Sequence, residues 1–257
     1  MSTALIGYSG YVGSTLLNQT QFTDLYNSKN IKDIEGKHYS IIVCAGAPAV
    51  KWKANKEPEA DWANINLLMK ALENVTADEF ILISTVDVYQ RPYQVYEDTS
   101  IDVDNTDPYG KHRYILEQYA NKKFPIIRII RLPGLFGTGL KKNFIFDLLN
   151  DNCLHLTHRY SQFQFYNLNR IWDDIQLVRN QGLHLVNFAT HPVTAQEIAE
   201  CCFDVKFTNV TEKPPVKYDM RSRFASLINP LRIDYLYYKS EILEQIRSFV
   251  CEERRRI

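Results

Sequence analysis

Over the first half of the chain, short apolar runs alternate with helical patterns, as they do where parallel strands are joined by crossover helices. TALIG is the first strand, YVGSTLLNQ the first helix, TDLYN the second strand and YSIIVCAG the third. An apolar periodicity over residues 54–73, centred on NINLLMKAL, predicts one long helix. EFILIST is the fourth strand and PIIRIIRLP the fifth; runs this apolar suit strands buried on both faces of a sheet. Between these two strands DPYGKHRYILEQY opens a helix, because Asp107 can cap it and Pro108, with no N–H to satisfy, fits its first position. Four residues make just over one turn, so Tyr109, Arg113 and Glu117 fall on one face. That spacing serves chemistry and serves an ordinary exposed pair equally well.

After about Pro133 the pattern breaks up. It holds NFIFDLL, a polar-aromatic run HRYSQFQFYNLNRIWDDI, a strand-like LHLVNFA and TAQEIAECC with Thr194 as its cap. The final KSEILEQIRSFVCEERRR is an amphipathic helix whose basic end, Arg254 to Arg256, reads as a solvated terminus favoured by the helix dipole.

Composition narrows the function. A chain of 257 residues with 45% hydrophobic content fills a real core. Lys plus Arg and Asp plus Glu balance at 30 each, so the broad basic field that gathers nucleic acid is missing, and no nucleic-acid partner is expected. The five cysteines form no CxxC pair and two are neighbours, which suggests neither a metal site nor a disulfide framework. Reduced thiols in a cytoplasm are the expectation. No basic and long-apolar leader opens the sequence and no apolar run reaches spanning length, so secretion and a membrane partner are not expected.

GYSGYVG puts Gly7, Gly10 and Gly13 between the first strand and the first helix. Glycine there lets the backbone turn tightly and approach a pyrophosphate, whose charge the helix N-terminal amides then meet. The loop Gly7, Tyr8, Ser9, Gly10, Tyr11, Val12 and Gly13 is therefore the expected dinucleotide site. An acid closing the second strand would accept the ribose hydroxyls of NAD. Here Asp24 opens that strand, and Asn27, Ser28 and Lys29 form the turn where the ribose would lie. Ser28 and Lys29 suit the 2′-phosphate of NADP, with NAD as the alternative; the same residues also suit an exposed turn. The expected class is α/β, a Rossmann-type doubly wound parallel sheet with a small C-terminal substrate lobe. Residues 1–135 would form the dinucleotide-binding core, and 136–257 the lobe, with segments returning to the core.

With FILISTVDVY and YGKHRYILEQ added to the glycine loop, the chain resembles the extended short-chain dehydrogenases/reductases, specifically the NAD(P)-dependent epimerase/dehydratase group. The resemblance runs from Leu5 to about Cys202 and includes CAGAPAVKWKANKEPE, similar to the third-strand end of dTDP-4-dehydrorhamnose reductases, with YEDTSID, RLPGLFGTG and LHLVNFATHPVTAQEIAE as further landmarks. It implies that Thr85 hydrogen-bonds the reacting oxygen and that Tyr109 gives or takes its proton. Arg113 falls where the family has its lysine and His112 where a small hydroxyl residue is usual; Ser84 is the alternative hydroxyl one residue back. His112 on its own reads as a solvated helix residue. Ala45, Gly46, Ala47 and Leu132 would line the cofactor beside the glycine loop, Tyr109 and Arg113.

The implied activity is NAD(P)-dependent reduction, epimerisation or dehydration of a nucleotide sugar or similar activated sugar, by an oxidoreductase-type site that allows a homodimer. Arg131, Arg170, Arg221 and Arg223 are the candidate partners of the substrate diphosphate, although arginines at such places more often sit in salt bridges. The departure at Arg113 leaves an alternative, a dinucleotide-binding sensor or partner subunit that keeps the fold and has a weak or inactive site.

Overall fold

A computed structural model of the chain describes residues 2–256. In chain order, β1 (Thr3–Ile6), α1 (Tyr11–Gln19), β2 (Asp24–Tyr26) and β3 (His38–Cys44) come first. Then follow α2 (Lys51–Lys56), α3 (Pro58–Leu72), β4 (Thr76–Thr85), β5 (Tyr93–Val95), α4 (Pro108–Lys123) and β6 (Ile127–Leu132). The remainder holds β7 (Gly134–Phe136), α5 (Phe144–Asn150), β8 (Gln162–Phe163), β9 (Phe165–Asn167), α6 (Ile171–Asn180) and β10 (Leu185–Asn187). β11 (Val193–Thr194), α7 (Ala195–Phe203), β12 (Asp219–Met220) and α8 (Lys239–Arg256) complete it.

Six strands form one sheet in the order β10-β6-β4-β3-β1-β2, with parallel pairing of β1 to β2, β1 to β3 and β3 to β4. This is a Rossmann-like α/β sheet. The chain order reverses between β1 and β3, and ligands of open α/β sheets bind beyond the carboxyl ends of the strands at such a reversal. Ile42, Phe80, Leu82 and Ile129 on the sheet pack with Ile65, Leu72, Leu116 and Ala120 of α3 and α4 in a continuous core.

The chain divides into two compact units. One comprises residues 1–91, 98–131 and 171–186; the other comprises 92–97, 132–170 and 187–257. The first unit carries most of the six-stranded sheet with α1–α4 and α6. The second is built from two-stranded pieces, β5 with β12, β7 with β9 and β8 with β11, together with α5, α7 and α8. Thr194 and Glu197 form a reciprocal capping box at the start of α7, as the TAQEIAECC pattern suggests.

The expected single helix over 54–73 is two helices. Pro58 disfavours the α conformation at Glu57, which adopts φ −127° and ψ 64°, so α2 ends at Lys56 and α3 begins at the proline itself. The polar-aromatic run holds two short strands and the first turn of α6. All five cysteines are free, and burial pushes the Cys44 thiol up to about 11. Among the described residues no helix is long and apolar enough to cross a membrane.

Candidate active site

The turn from β1 into α1 is built around glycines with different duties. Gly7 has φ +86°, and a Cβ on it would lie 2.3 Å from the Ala45 carbonyl oxygen, so the loop after β1 and the loop after β3 touch backbone to backbone. At Gly13 a Cβ would lie 2.1 Å from the Gly7 carbonyl oxygen, so this position seats α1 on the turn. Gly10 is different: its nearest contact would be the Gly7 oxygen at 3.3 Å, and its φ of −81° needs no glycine. The exposed Gly10 is the N-cap of α1 and gives the first turn no side-chain cap, which leaves that helix end suited to an anion. Ala45, Gly46 and Ala47 follow β3 directly, and the Ala45 amide donates to the Ile6 carbonyl at 2.8 Å.

The turn after β2 lies against the same loop. Asn27 reaches the Ser9 hydroxyl at 3.5 Å, and its own side-chain oxygen accepts from the Lys29 amide at 2.9 Å. Ser28 and Lys29 are exposed there. The carboxylate of Asp24 accepts hydrogen bonds from Tyr39, Tyr26 and Lys37. Those bonds, Tyr39's first, hold it below the ordinary range of an aspartate.

Thr85 is the last residue of β4, and Tyr109 is the second residue of α4. The expected capping by the Asp107 side chain does not occur. Instead Asn55 of α2 accepts a hydrogen bond from the Tyr109 amide at 3.0 Å, so a neighbouring helix caps α4. Gly110 lets α4 approach the segment after β4; a Cβ on it would lie 1.8 Å from the Asp87 carbonyl oxygen. Tyr109 is buried, its phenol within hydrogen-bonding reach of the Thr85 hydroxyl. Ser84 points elsewhere and donates to Glu117 at 2.5 Å.

Arg113 is 3% exposed and lies on the face of the Tyr109 ring, its guanidinium carbon 3.9 Å from the ring centre. Its fork grips both oxygens of Asp61, at 2.5 and 2.8 Å, and it also donates to the carbonyls of Tyr109 and Pro48. His112 is not the solvated residue its position in the sequence suggests. Its Nδ1 lies 2.8 Å from the same Asp61 carboxylate, and its ring lies beside Trp62. Burial alone would raise the Asp61 carboxyl, but the bonds from Arg113 and His112 outweigh it and hold the carboxyl below its usual range. Lys51 Nζ sits 2.7 Å from the Asp87 carboxylate, and the Asp87 backbone amide donates to the Thr85 hydroxyl. Burial raises the Tyr109 phenol above its ordinary value; Arg113, Thr85 and Lys51 pull it back, and Asp87 pushes it further up.

The chain overlays solved structures along essentially its whole length. UDP-N-acetylglucosamine 4-epimerase from Methanobrevibacter ruminantium M1, in complex with UDP-N-acetylmuramic acid, matches with a TM-score of 0.74 at 14% identity, covering 100% of this chain and 99% of that one. RMD from Pseudomonas aeruginosa, complexed with NADPH, matches at 0.75 and 14% identity, covering 100% of both chains. The dTDP-4-dehydrorhamnose reductase of Bacillus anthracis str. Ames, in complex with NADP, matches at 0.71 and 16% identity over 98% of this chain and 99% of the other. The chain shares the fold of these solved structures, built on a Rossmann-like α/β sheet. No protein-family model and no curated protein sequence matches the chain.

The four candidate arginines all have partners. Arg131 is buried, forked onto Glu117 at 3.0 and 2.6 Å and bonded to the Tyr89 hydroxyl. In the second unit, Arg170 donates to the Tyr237 hydroxyl, Arg221 is forked onto Asp219, and Arg223 stacks on Tyr96 at 3.9 Å. Leu132, which closes β6, is buried. Lys51, Asn55, Asp61, Asp87 and Gly110 also surround the tyrosine; the first two lie within CAGAPAVKWKANKEPE, Asp87 within FILISTVDVY and Gly110 within YGKHRYILEQ, but none is singled out there, and Asp61 lies outside all three. The four-residue spacing of Lys51 and Asn55 and a glycine inside a helical pattern were the signals available.

Proposed function

We propose that this chain is an NAD(P)-dependent reductase, epimerase or dehydratase acting on a nucleotide sugar or a similar activated sugar, with Tyr109 as the group that exchanges a proton with the reacting oxygen. The observation that carries this reading is the buried phenol with a hydroxyl at its oxygen and a guanidinium on its ring face. It stands at the carboxyl end of the sheet that also bears the glycine turn.

The residues present fit a dinucleotide. Gly10 could carry a side chain without steric cost to the fold beyond one 3.3 Å contact, which is the pattern of a position kept bare for something outside the protein. α1 offers uncapped amides to a pyrophosphate. The nicotinamide, when bound, supplies or accepts the hydride. Thr85 orients the substrate oxygen beside the phenol, and Arg113 stabilises negative charge as the phenol gives up its proton. Burial raises the phenol above its ordinary value, so the group offered to the reacting oxygen is the protonated phenol. Lys29 and Ser28 face solvent while Asp24 is held by Tyr39, Tyr26 and Lys37, so the ribose position offers a cation and no free acid. This favours NADP over NAD.

A second reading, a dinucleotide-binding sensor or partner subunit, draws on the commitment of Arg113 to Asp61. Titration calorimetry with NADPH and NADH, followed by a thermal-shift panel of UDP-, GDP-, CDP- and dTDP-sugars with cofactor present, separates the two. Tight dinucleotide binding with a sugar-dependent rise in Tm supports the enzyme. Binding of dinucleotide with a flat sugar panel supports the sensor, and no dinucleotide binding overturns both.

A further inference from the structure

A proton-exchanging phenol beside a nicotinamide needs a cation with two abilities: to stabilise the phenolate, and to donate hydrogen bonds that can be remade as the ligand changes. Arg113 has only the first. A guanidinium carries five N–H donors and keeps its proton near neutral pH. Four of those in Arg113 are committed to Asp61, Tyr109 and Pro48, and the Nε–H is buried without a partner. Releasing the two that grip Asp61 would break a buried ion pair, and releasing the other two would leave the Tyr109 and Pro48 carbonyls without these donors.

A second cation, Lys51, is tied to the surroundings of the tyrosine through α2 and Asp87. Asn55 caps α4 at the Tyr109 amide, which ties α2 to the first turn of α4. Lys51 is one turn before Asn55 on the same face of α2, and its ammonium lies 2.7 Å from Asp87. Asp87 in turn donates its amide to Thr85, the hydroxyl at the phenol, and its carbonyl abuts Gly110 of the tyrosine helix. The Lys51 side chain is 40% exposed, against 3% for that of Arg113, so it reaches both the site and the solvent.

We propose that the cationic work at Tyr109 is divided between two helices: Arg113 of α4 supplies a fixed charge on the ring face, and Lys51 of α2, steered by Asp87, supplies the movable ammonium on the polar side of the phenol. The inference rests on the reading of Tyr109 as the proton-exchanging group. The charges of Lys51 and Asp87 act on the phenol in opposite directions, as their placement requires. Lys51 is a positioning residue through the phenol's charge and a direct donor toward ligand hydroxyls when a dinucleotide is bound.

The test is made first on the protein without cofactor. 3,5-Difluorotyrosine introduced at Tyr109 brings the titration into a range the fold tolerates and gives a fluorine resonance of its own, followed by NMR against pH. Lys51→Met should raise the midpoint by about one pH unit, Lys51→Arg should leave it within a few tenths, and Asp87→Asn should lower it. Thermal unfolding of each variant confirms that it is folded, and Lys51→Gln serves as a second neutral variant if Lys51→Met is not. In the unlabelled protein Lys51→Met should weaken NADPH binding about tenfold and Lys51→Arg should restore part of it. A midpoint unmoved by loss of the Lys51 charge, or one that Asp87→Asn raises, overturns the division of labour. If the chain binds no dinucleotide, the proposed activity fails while the fluorine titration still decides the role of Lys51.

Discussion

The glycine turn and the start of α4 both sit at the carboxyl ends of the same sheet, yet they are built on opposite principles. In the turn, function lies in the backbone: Gly7 and Gly13 are needed because a Cβ would collide with main-chain atoms at 2.3 and 2.1 Å, whereas a Cβ on Gly10 would meet only the Gly7 oxygen, at 3.3 Å. Around Tyr109 the backbone is a helix brought close to the Asp87 carbonyl at Gly110, and the chemistry depends on side chains from elsewhere, among them Asn55, Asp61, Thr85 and Asp87. The first kind of site tolerates no change in shape and is indifferent to most neighbouring charges. The second needs a bare backbone only at Gly110, where a Cβ would lie 1.8 Å from the Asp87 carbonyl oxygen, and otherwise fails when one charged partner is lost.

The contrast can be broken most forcefully at the phenol itself. Tyr109→Phe should cut turnover by about 10²–10⁴-fold while leaving the dinucleotide Kd within about twofold, read by steady-state kinetics and calorimetry side by side. Retention of full activity would mean that the phenol is a bystander. For the unmutated protein, the proposed reduction should hold steady through neutral pH and fall at high pH, once pH climbs through the burial-raised value of Tyr109 and the donor is lost.

Next in size is the ion pair beneath the ring. Asp61→Asn leaves the buried Arg113 uncompensated and should cost about 3–5 kcal/mol of stability by urea unfolding. The folded-state value of Asp61 is depressed, so its contribution is fully present above the ordinary aspartate range and is lost as pH falls through the depressed value. The variant should therefore lose part of the wild-type decline in Tm on acidification. Arg113→Lys, by the same geometry, exchanges a two-pronged grip for a point charge and should destabilise rather than improve the site.

Gly10→Val sharpens the other side of the comparison. It should weaken dinucleotide binding by about ten- to hundredfold through obstruction of the pyrophosphate, with Tm changed by no more than a few degrees. A large loss of Tm would show that Gly10, like Gly7 and Gly13, serves the fold. The smallest effect is expected at the exposed turn after β2. Ser28→Asp should shift the ratio of NADPH to NADH affinity toward NADH by up to about tenfold, since a screened surface charge is worth about 1 kcal/mol. If the unmutated chain already prefers NADH, the turn is an exposed loop and no more.

Much of this architecture is legible in the residue order because its causes are local. Period-two and unbroken apolar runs mark β1, β3, β4 and β6, and Pro108 marks the start of α4. The break at Pro58 was equally local, and the long periodicity of NINLLMKAL masked it: an apolar stripe continues across a proline even when the backbone does not. The capping of α4 was less accessible. Asp107 has the right chemistry and position, but Asn55, more than fifty residues earlier in the chain, takes the Tyr109 amide.

The amino-acid order by itself therefore determined the α/β class, the glycine turn and the tyrosine at the head of a helix, since each follows from steric limits and periodicities acting over a few residues. Only the tertiary structure decided which charges serve that tyrosine. The spacing of Tyr109 and Arg113 holds for any helix, but whether the guanidinium faces a ligand or Asp61 depends on α3 lying beside α4. The ammonium of Lys51, in the short helix that ends before Pro58, meets Asp87 of the segment after β4 at 2.7 Å, a partner far away in the sequence. Ion pairs between distant segments are set by where packing leaves them, and periodicity carries no record of that.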